Sequence, residues 1–153
     1  MVYISNDTEE TKKIGYELAR KIDTGELKSR FIAMRGEMGV GKTAFTSGFA
    51  SYFGIKGVKS PTYAVMNQHT SPTTGMRILH FDTYRISDDD DLYSIGFYDY
   101  LDSEDLMIVE WSENIDYAIP DGALYVKIER IEDNEGMRKI TVSEDLINEN
   151  ISI

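Results

Sequence analysis

The sequence predicts an α/β domain with a mixed parallel and antiparallel sheet, and three observations carry that prediction. Amphipathic helical stretches interleave with short apolar runs in the first half of the chain, whereas strand pairs around turn-forming residues dominate the second. Leu106-Met107-Ile108-Val109 is a continuous apolar run, the pattern of a central strand covered on both faces. No repeat, linker or break in composition divides the 153 residues, so one domain spanning 1–153 is expected.

The elements follow in order. A first helix is predicted from about Thr8 to Ile22, where Ile14, Leu18 and Ile22 share a face. Asn6 and Asp7 can cap it, with Glu9 or Glu10 reaching back. Phe31-Ile32-Ala33-Met34 reads as a short buried strand, and Gly36 to Gly41 as a glycine-rich turn. Lys42 to Phe53 forms a second helix with Phe45, Phe49 and Phe53 on its buried face, ended by Gly54. Tyr63 to His69 and Met76 to Asp82 pair as a hairpin across the turn Thr70 to Gly75. Asp88 to Asp91 introduce a short helix ending near Leu101, since acids favour the positive end of the helix dipole. Leu124 to Ile131 and Arg138 to Val142 form a final hairpin around Asp133-Asn134-Glu135-Gly136.

Composition narrows the function. Apolar residues make up 41% of the chain, and no run approaches the ~20 apolar residues of a membrane span. The opening residues lack the basic-then-apolar pattern of a signal peptide. Cysteine is absent, which removes disulfides and thiolate metal sites. A cytoplasmic home is therefore expected. The formal charge is -11, from 27 acidic and 16 basic side chains. Gripping nucleic acid takes lysines and arginines to neutralise phosphates, so strong direct binding of RNA by this chain alone is disfavoured.

Gly36-Glu37-Met38-Gly39-Val40-Gly41-Lys42-Thr43 satisfies G-x-x-x-x-G-K-[ST] at every fixed position. Glycines let backbone N–H groups wrap a phosphate with no side chain in the way. The helix that follows aims its positive end at the same anion. Lys42 reaches the β- and γ-phosphates, and the Thr43 hydroxyl is a ligand for Mg²⁺. A strand before the motif and an amphipathic helix after it supply the context the mechanism needs. The expected architecture is a three-layer P-loop NTPase-like domain, with ATP as substrate. ATP is preferred over GTP because the chain has no N-K-x-D guanine-reading segment.

A nucleotide hydrolase also needs a carboxylate near the metal and a group to orient water. Glu110 ends the apolar run Leu106 to Val109, the layout of a Walker B strand. Asp82 closes a second strand, where the two-residue spacing puts it on one face with His80. Either acid can fill the Walker B role. His80 reads first as a packing or hydrogen-bonding residue, with catalysis as the alternative. The run Asp88 to Asp91 reads as a solvated helix start, because consecutive acids point in different directions. Trp111 can stack on a base or a partner, or lie in the core.

Three more segments fit one family. Ser60-Pro61-Thr62-Tyr63 resembles its S-P-T-[FY] segment, His80-Phe81-Asp82-Thr83-Tyr84-Arg85 its H-x-D-x-Y-R segment, and Ile108-Val109-Glu110-Trp111 its apolar-apolar-E-W segment. Glu9-Glu10-Thr11 followed by Gly15 is similar to its N-terminal helix. With the phosphate loop, these segments resemble the TsaE family over about residues 5 to 130. Met38 and Val40 stand where the family often has Leu and Ala. The resemblance implies a Mg²⁺-dependent ATPase, weak alone, that joins TsaD and TsaB in making threonylcarbamoyladenosine on tRNA. The partners would hold the tRNA, and ATP hydrolysis would reset their complex. Carried over, Glu37, Met38, Gly39, Val40, Gly41, Lys42, Thr43 and Ala44 form the nucleotide loop, and Thr11 touches the adenine side. Lys42, Asp82 and Glu110 would be catalytic, with Thr43, Asp82 and Glu110 around the metal. Ser60 and Thr62 would belong to a switch-like loop, and Trp111 would lie near the nucleotide or partner. Arg85 is the internal candidate for an activating cation. The alternatives are a P-loop small-molecule kinase and a non-catalytic nucleotide-sensing module. No role is assigned after Ile131.

Overall fold

In the computed structural model, which describes residues 1–61 and 66–144, seven strands form one mixed sheet. They are β1 (Val2–Ser5), β2 (Phe31–Arg35), β3 (Met66–Thr70), β4 (Arg77–Asp82), β5 (Leu106–Glu110), β6 (Leu124–Ile131) and β7 (Asn134–Ser143). Their spatial order is β1-β7-β6-β2-β5-β4-β3. The four central strands, β6, β2, β5 and β4, run parallel, and β7, β1 and β3 add antiparallel edges. The class is α/β with a mixed sheet, as the sequence predicts.

Alternation along the central strands sorts side chains into two cores. Ile32 and Met34, Ile78, and Ile108 face α1 (Thr8–Asp23) and α2 (Lys42–Tyr52), packing with Leu18, Phe45 and Phe49. Phe31 and Ala33, Leu79 and Phe81, and Met107 and Val109 face the other way. They meet Leu92 of α3 (Asp89–Ser94), Phe97 of α4 (Phe97–Leu101) and Ile115 of a 3-10 segment, Ser112–Ala118. The result is three layers. Every residue of β5 is buried, Glu110 included.

Helices α1 and α2 touch through glycine. A Cβ built on Gly48 would lie 2.0 Å from the Lys12 carbonyl oxygen, and one on Gly15 would lie 2.2 Å from that of Phe45. Alanine normally gains about 1 kcal/mol over glycine inside a helix. Here the added methyl meets backbone, which cannot swing aside as a side chain can. Gly48→Ala is therefore expected to destabilise the protein by about 2–3 kcal/mol net, read as a lower urea midpoint at unchanged slope.

Local chemistry sets several ends. Asp7 caps α1 by accepting from the Glu10 N–H at 2.8 Å, and Glu10 accepts in return from the Asn6 N–H at 3.2 Å. The second core-facing run is as expected, with Phe45 and Phe49 fully buried and Phe53 nearly so. Three features differ from the sequence reading. The helix placed after the aspartates is two short helices, because Gly96 takes φ +78° between them. The last hairpin turns earlier, at Glu132 and Asp133, where Asp133 has φ +64°. Residues 134–137 consequently extend β7, with a bulge between Arg130 and Ile131. Strand β1 has no counterpart in that reading. Tyr63 of the predicted first hairpin lies outside the described residues, and Met66–Thr70 pairs with β4 as expected.

Candidate nucleotide site

The parallel strands bring the candidate residues to one edge. Strand β2 ends at Arg35 and leads into the glycine loop, while Asp82 ends β4 and Glu110 ends β5. Asp82 and Glu110 are register partners on adjacent strands, so their side chains share a face. Lys42, at the start of α2, extends to the same place. Burial pushes its ammonium below the usual lysine range, and the carboxylates of Glu110, Glu113 and Asp82 oppose that shift. Lys42 is only 5% exposed. Its Nζ donates to the Gly36 carbonyl at 2.7 Å and lies 3.9 Å from the centre of the Trp111 ring.

The loop itself is built on backbone conformations that favour glycine. Gly36, Gly39 and Gly41 have φ of +151°, +74° and +117°. Gly36 is also fixed by space, since a Cβ there would lie 2.7 Å from the Ile128 carbonyl oxygen of β6. Val40 is buried in the α1/α2 core, whereas Glu37 and Met38 are exposed. Helices α1 and α3 carry aspartate N-caps, but α2 begins at Gly41 with no side-chain cap and no acid in its first turn. Its leading N–H groups have no capping side chain, the arrangement that suits an anion.

The two carboxylates sit in different surroundings. The fully buried His80 ring donates from Nε2–H to Oε2 of Glu110, and His80 Nδ1 is left without a partner. That contact occupies one oxygen, Oε2, of the Glu110 carboxylate. Burial pushes the Asp82 carboxyl above the usual range; the Tyr84 N–H, donating to Oδ1 at 2.9 Å, opposes this, and nearby Glu110 reinforces it. Thr43 and Ala44 are half-buried on the first turn of α2. Among the described residues no cluster of three His, Cys, Asp or Glu side chains could cage a metal. The donors at this edge are instead one hydroxyl and two carboxylates. That hard-oxygen set suits Mg²⁺, which holds one or two carboxylates and fills its remaining positions with phosphate and water.

Trp111 stands at a conformational corner, with φ +59°. Thr83 secures it by placing its hydroxyl between the carbonyl oxygens of Glu110 (2.9 Å) and Trp111 (2.8 Å). Asn114 donates to the carbonyls of Thr83 and Tyr84, and the exposed Tyr84 ring packs on Trp111 at 4.9 Å between centroids. Thr83 and Asn114 carry no role in the sequence reading, because a threonine between Asp and Tyr looks like any strand residue. Thr11 is buried and bonded to Ser5 Oγ at 2.7 Å, with its methyl facing Gly41. Ser60 is half-buried in the irregular segment between α2 and β3, Arg85 is exposed past the end of β4, and Thr62 lies outside the described residues.

Two further arginines meet the loop from the β6–β7 hairpin. Arg130 donates to Glu37 Oε2 at 2.7 Å and to the Met38 carbonyl at 3.1 Å, and Arg138 donates to the Val40 carbonyl at 2.8 Å. No motif points to them. A cleft of about 440 Å³ between Leu27, Phe31, Leu101 and Pro120 lies at the opposite edge of the sheet and shares none of the site residues.

Known proteins resemble this chain in fold and in sequence. The fold resembles that of the crystal structure of YdiB from Bacillus subtilis, with a TM-score of 0.66 and 24% identity, over 93% of this chain and 83% of that one. By sequence, the chain is 32% identical to the tRNA threonylcarbamoyladenosine biosynthesis protein TsaE of Haemophilus influenzae, covering 74% of this chain and 71% of that protein. It is 32% identical to the protein of the same name in Bacillus subtilis, covering 87% and 78%. Residues 5–140 match the family described as threonylcarbamoyl adenosine biosynthesis protein TsaE. That match takes in the phosphate loop, both strand-end carboxylates and Trp111, and the chain belongs to the TsaE family.

Proposed function

We propose that this chain binds and hydrolyses MgATP as the ATPase component of tRNA threonylcarbamoyladenosine synthesis, acting with TsaD and TsaB. The family and its named relatives support the pathway. The observation that carries the chemistry is the convergence of Lys42, Asp82 and Glu110 beside an uncapped helix N-terminus preceded by three glycines of positive φ.

The roles follow from position. The loop backbone and the start of α2 hold the phosphates, and Lys42 exchanges the Gly36 carbonyl for phosphate oxygen. Thr43 and Asp82, with Glu110 beside them, would hold Mg²⁺, which would supply charge neutralisation at the β- and γ-phosphates. Glu110 Oε1 orients the attacking water and accepts its proton. The water oxygen bonds to the γ-phosphorus as the β–γ bridging bond breaks, and ADP leaves with phosphate. His80 keeps the Glu110 carboxylate in one orientation throughout. Ser60 and Thr62 sense the γ-phosphate from the segment after α2. With a net charge of -11, contact with tRNA runs through the partners.

Phosphate release from ATP, measured with and without Mg²⁺ and with and without TsaD and TsaB, tests the reading. We expect slow release by the chain alone and an increase of about tenfold or more with both partners, as a partner orders the site or adds a cation. Absence of Mg²⁺-dependent release under every condition would overturn it. A phosphorylated acceptor without free phosphate would favour a kinase instead.

A further inference from the structure

Resting on that nucleotide reading, we infer that Arg130 and Arg138 are positioning residues for the phosphate loop, setting the direction of the backbone N–H groups that receive phosphate. The two arginines are register partners across the β6–β7 hairpin, so one rigid ladder presents both guanidinium groups. Between them they reach three of the four residues from Glu37 to Val40: the Glu37 carboxylate and the Met38 carbonyl by Arg130, and the Val40 carbonyl by Arg138.

The carbonyl contacts have a directional consequence. In a planar trans peptide the C=O of one residue points opposite to the N–H of the next. Drawing the Met38 carbonyl toward the hairpin therefore turns the Gly39 N–H away from it, and drawing the Val40 carbonyl turns the Gly41 N–H away likewise. Gly39 and Gly41 are the loop glycines with φ of +74° and +117°, residues with little conformational preference of their own. A glycine peptide without such anchors samples many orientations, and binding a phosphate would then carry the cost of ordering it. The hairpin meets that cost in advance. Its backbone contributes too, since the Ile128 carbonyl of β6 stands 2.7 Å from where a Gly36 Cβ would be. Arg138 is the more constrained of the pair, because it also donates to the carbonyls of Glu135 (2.6 Å) and Met137 (2.8 Å) on its own strand. Those bonds hold its guanidinium in place and leave Nε for Val40. The bulge after Arg130 belongs to the same arrangement, as it sets where the strand ends beside the loop.

The test measures ADP binding in Mg²⁺ by titration calorimetry, with a melting curve taken without nucleotide, for wild type, Arg138→Ala, Arg138→Lys, Arg130→Ala and Lys42→Ala. We expect Arg138→Ala to raise the Kd for ADP about tenfold, the effect of losing a charge-assisted hydrogen bond, and Arg130→Ala to raise it less. Arg138→Lys, which keeps a donor, should recover part of the loss. For ATP turnover, KM should rise more than kcat falls, a split that simple loss of folded protein does not produce. Wild-type Kd values in Arg138→Ala and Arg130→Ala, from protein that melts as wild type, would overturn the inference while leaving the nucleotide reading intact. If Arg138→Ala does not fold, Arg138→Lys and Arg130→Ala decide by the same criterion. Failure of wild type to bind ADP more tightly than Lys42→Ala would overturn the nucleotide reading and this inference together.

Discussion

Lys42→Ala is expected to cut Mg²⁺-dependent phosphate release from ATP by about 10³-fold, the scale of losing a preorganised cation that faces transition-state charge. The structure gives the reason this lysine cannot be replaced by a neighbour. Its Nζ sits where the Gly36 carbonyl, the Trp111 ring and the charges of Glu110 and Asp82 converge, with the rest of the side chain buried. Two strand-end carboxylates would then face a triphosphate without a cation between them, which the proposed reading makes repulsive. The effect should appear in nucleotide affinity as well as in kcat, because the proposed role has the lysine meet phosphate before and during reaction. Its removal also relieves the cost of burying an ammonium, so the melting temperature should move little. Phosphate release from Lys42→Ala within threefold of wild type would overturn the assignment.

Glu110→Gln should separate binding from chemistry. The amide has the carboxylate's shape, and its carbonyl oxygen can still accept from His80 Nε2–H, so the buried contact survives. The carboxylate proposed to take the proton from water does not. Hydrolysis is therefore expected to fall about 10²- to 10³-fold while ADP affinity stays within a few-fold, read by phosphate release and calorimetry on the same preparation. Turnover near wild type would move the water-orienting role to Asp82, whose register partner is Glu110. The contrast with Lys42→Ala is informative in itself: one substitution weakens binding and rate together, the other mainly rate.

The legible part of this site was written in local sequence. Gly36 to Thr43 are legible as a phosphate-binding motif because residues of such a motif act through their own backbone or side chain within one turn. Gly36, Gly39 and Gly41 take the positive φ values that glycines allow. The phenylalanines at 45, 49 and 53 mark a helix face because 3.6 residues per turn brings them into line. Leu106 to Val109 announce a central strand, and an acid at its end falls at the strand's edge whatever the neighbours are. The helix after the aspartates was harder. Its apolar pattern runs on through Gly96, and only the conformation of that glycine, φ +78°, breaks it.

What the sequence by itself determined is therefore the set of elements and the chemistry available at their ends: a glycine loop, a lysine, a hydroxyl and two acids on separate strands. Tertiary structure decided which of these meet. That Asp82 stands opposite Glu110 depends on β4 and β5 being parallel neighbours in one register. That His80 holds Glu110, thirty residues away, depends on the same pairing. Arg138 reaches Val40 across 98 positions because β6 pairs with β2 on one side and β7 on the other. The physical reason is one of range. Periodicity and capping are fixed by residues three or four apart, whereas strand order and register come from burying apolar faces of the whole chain at once, and no short window of sequence contains that information.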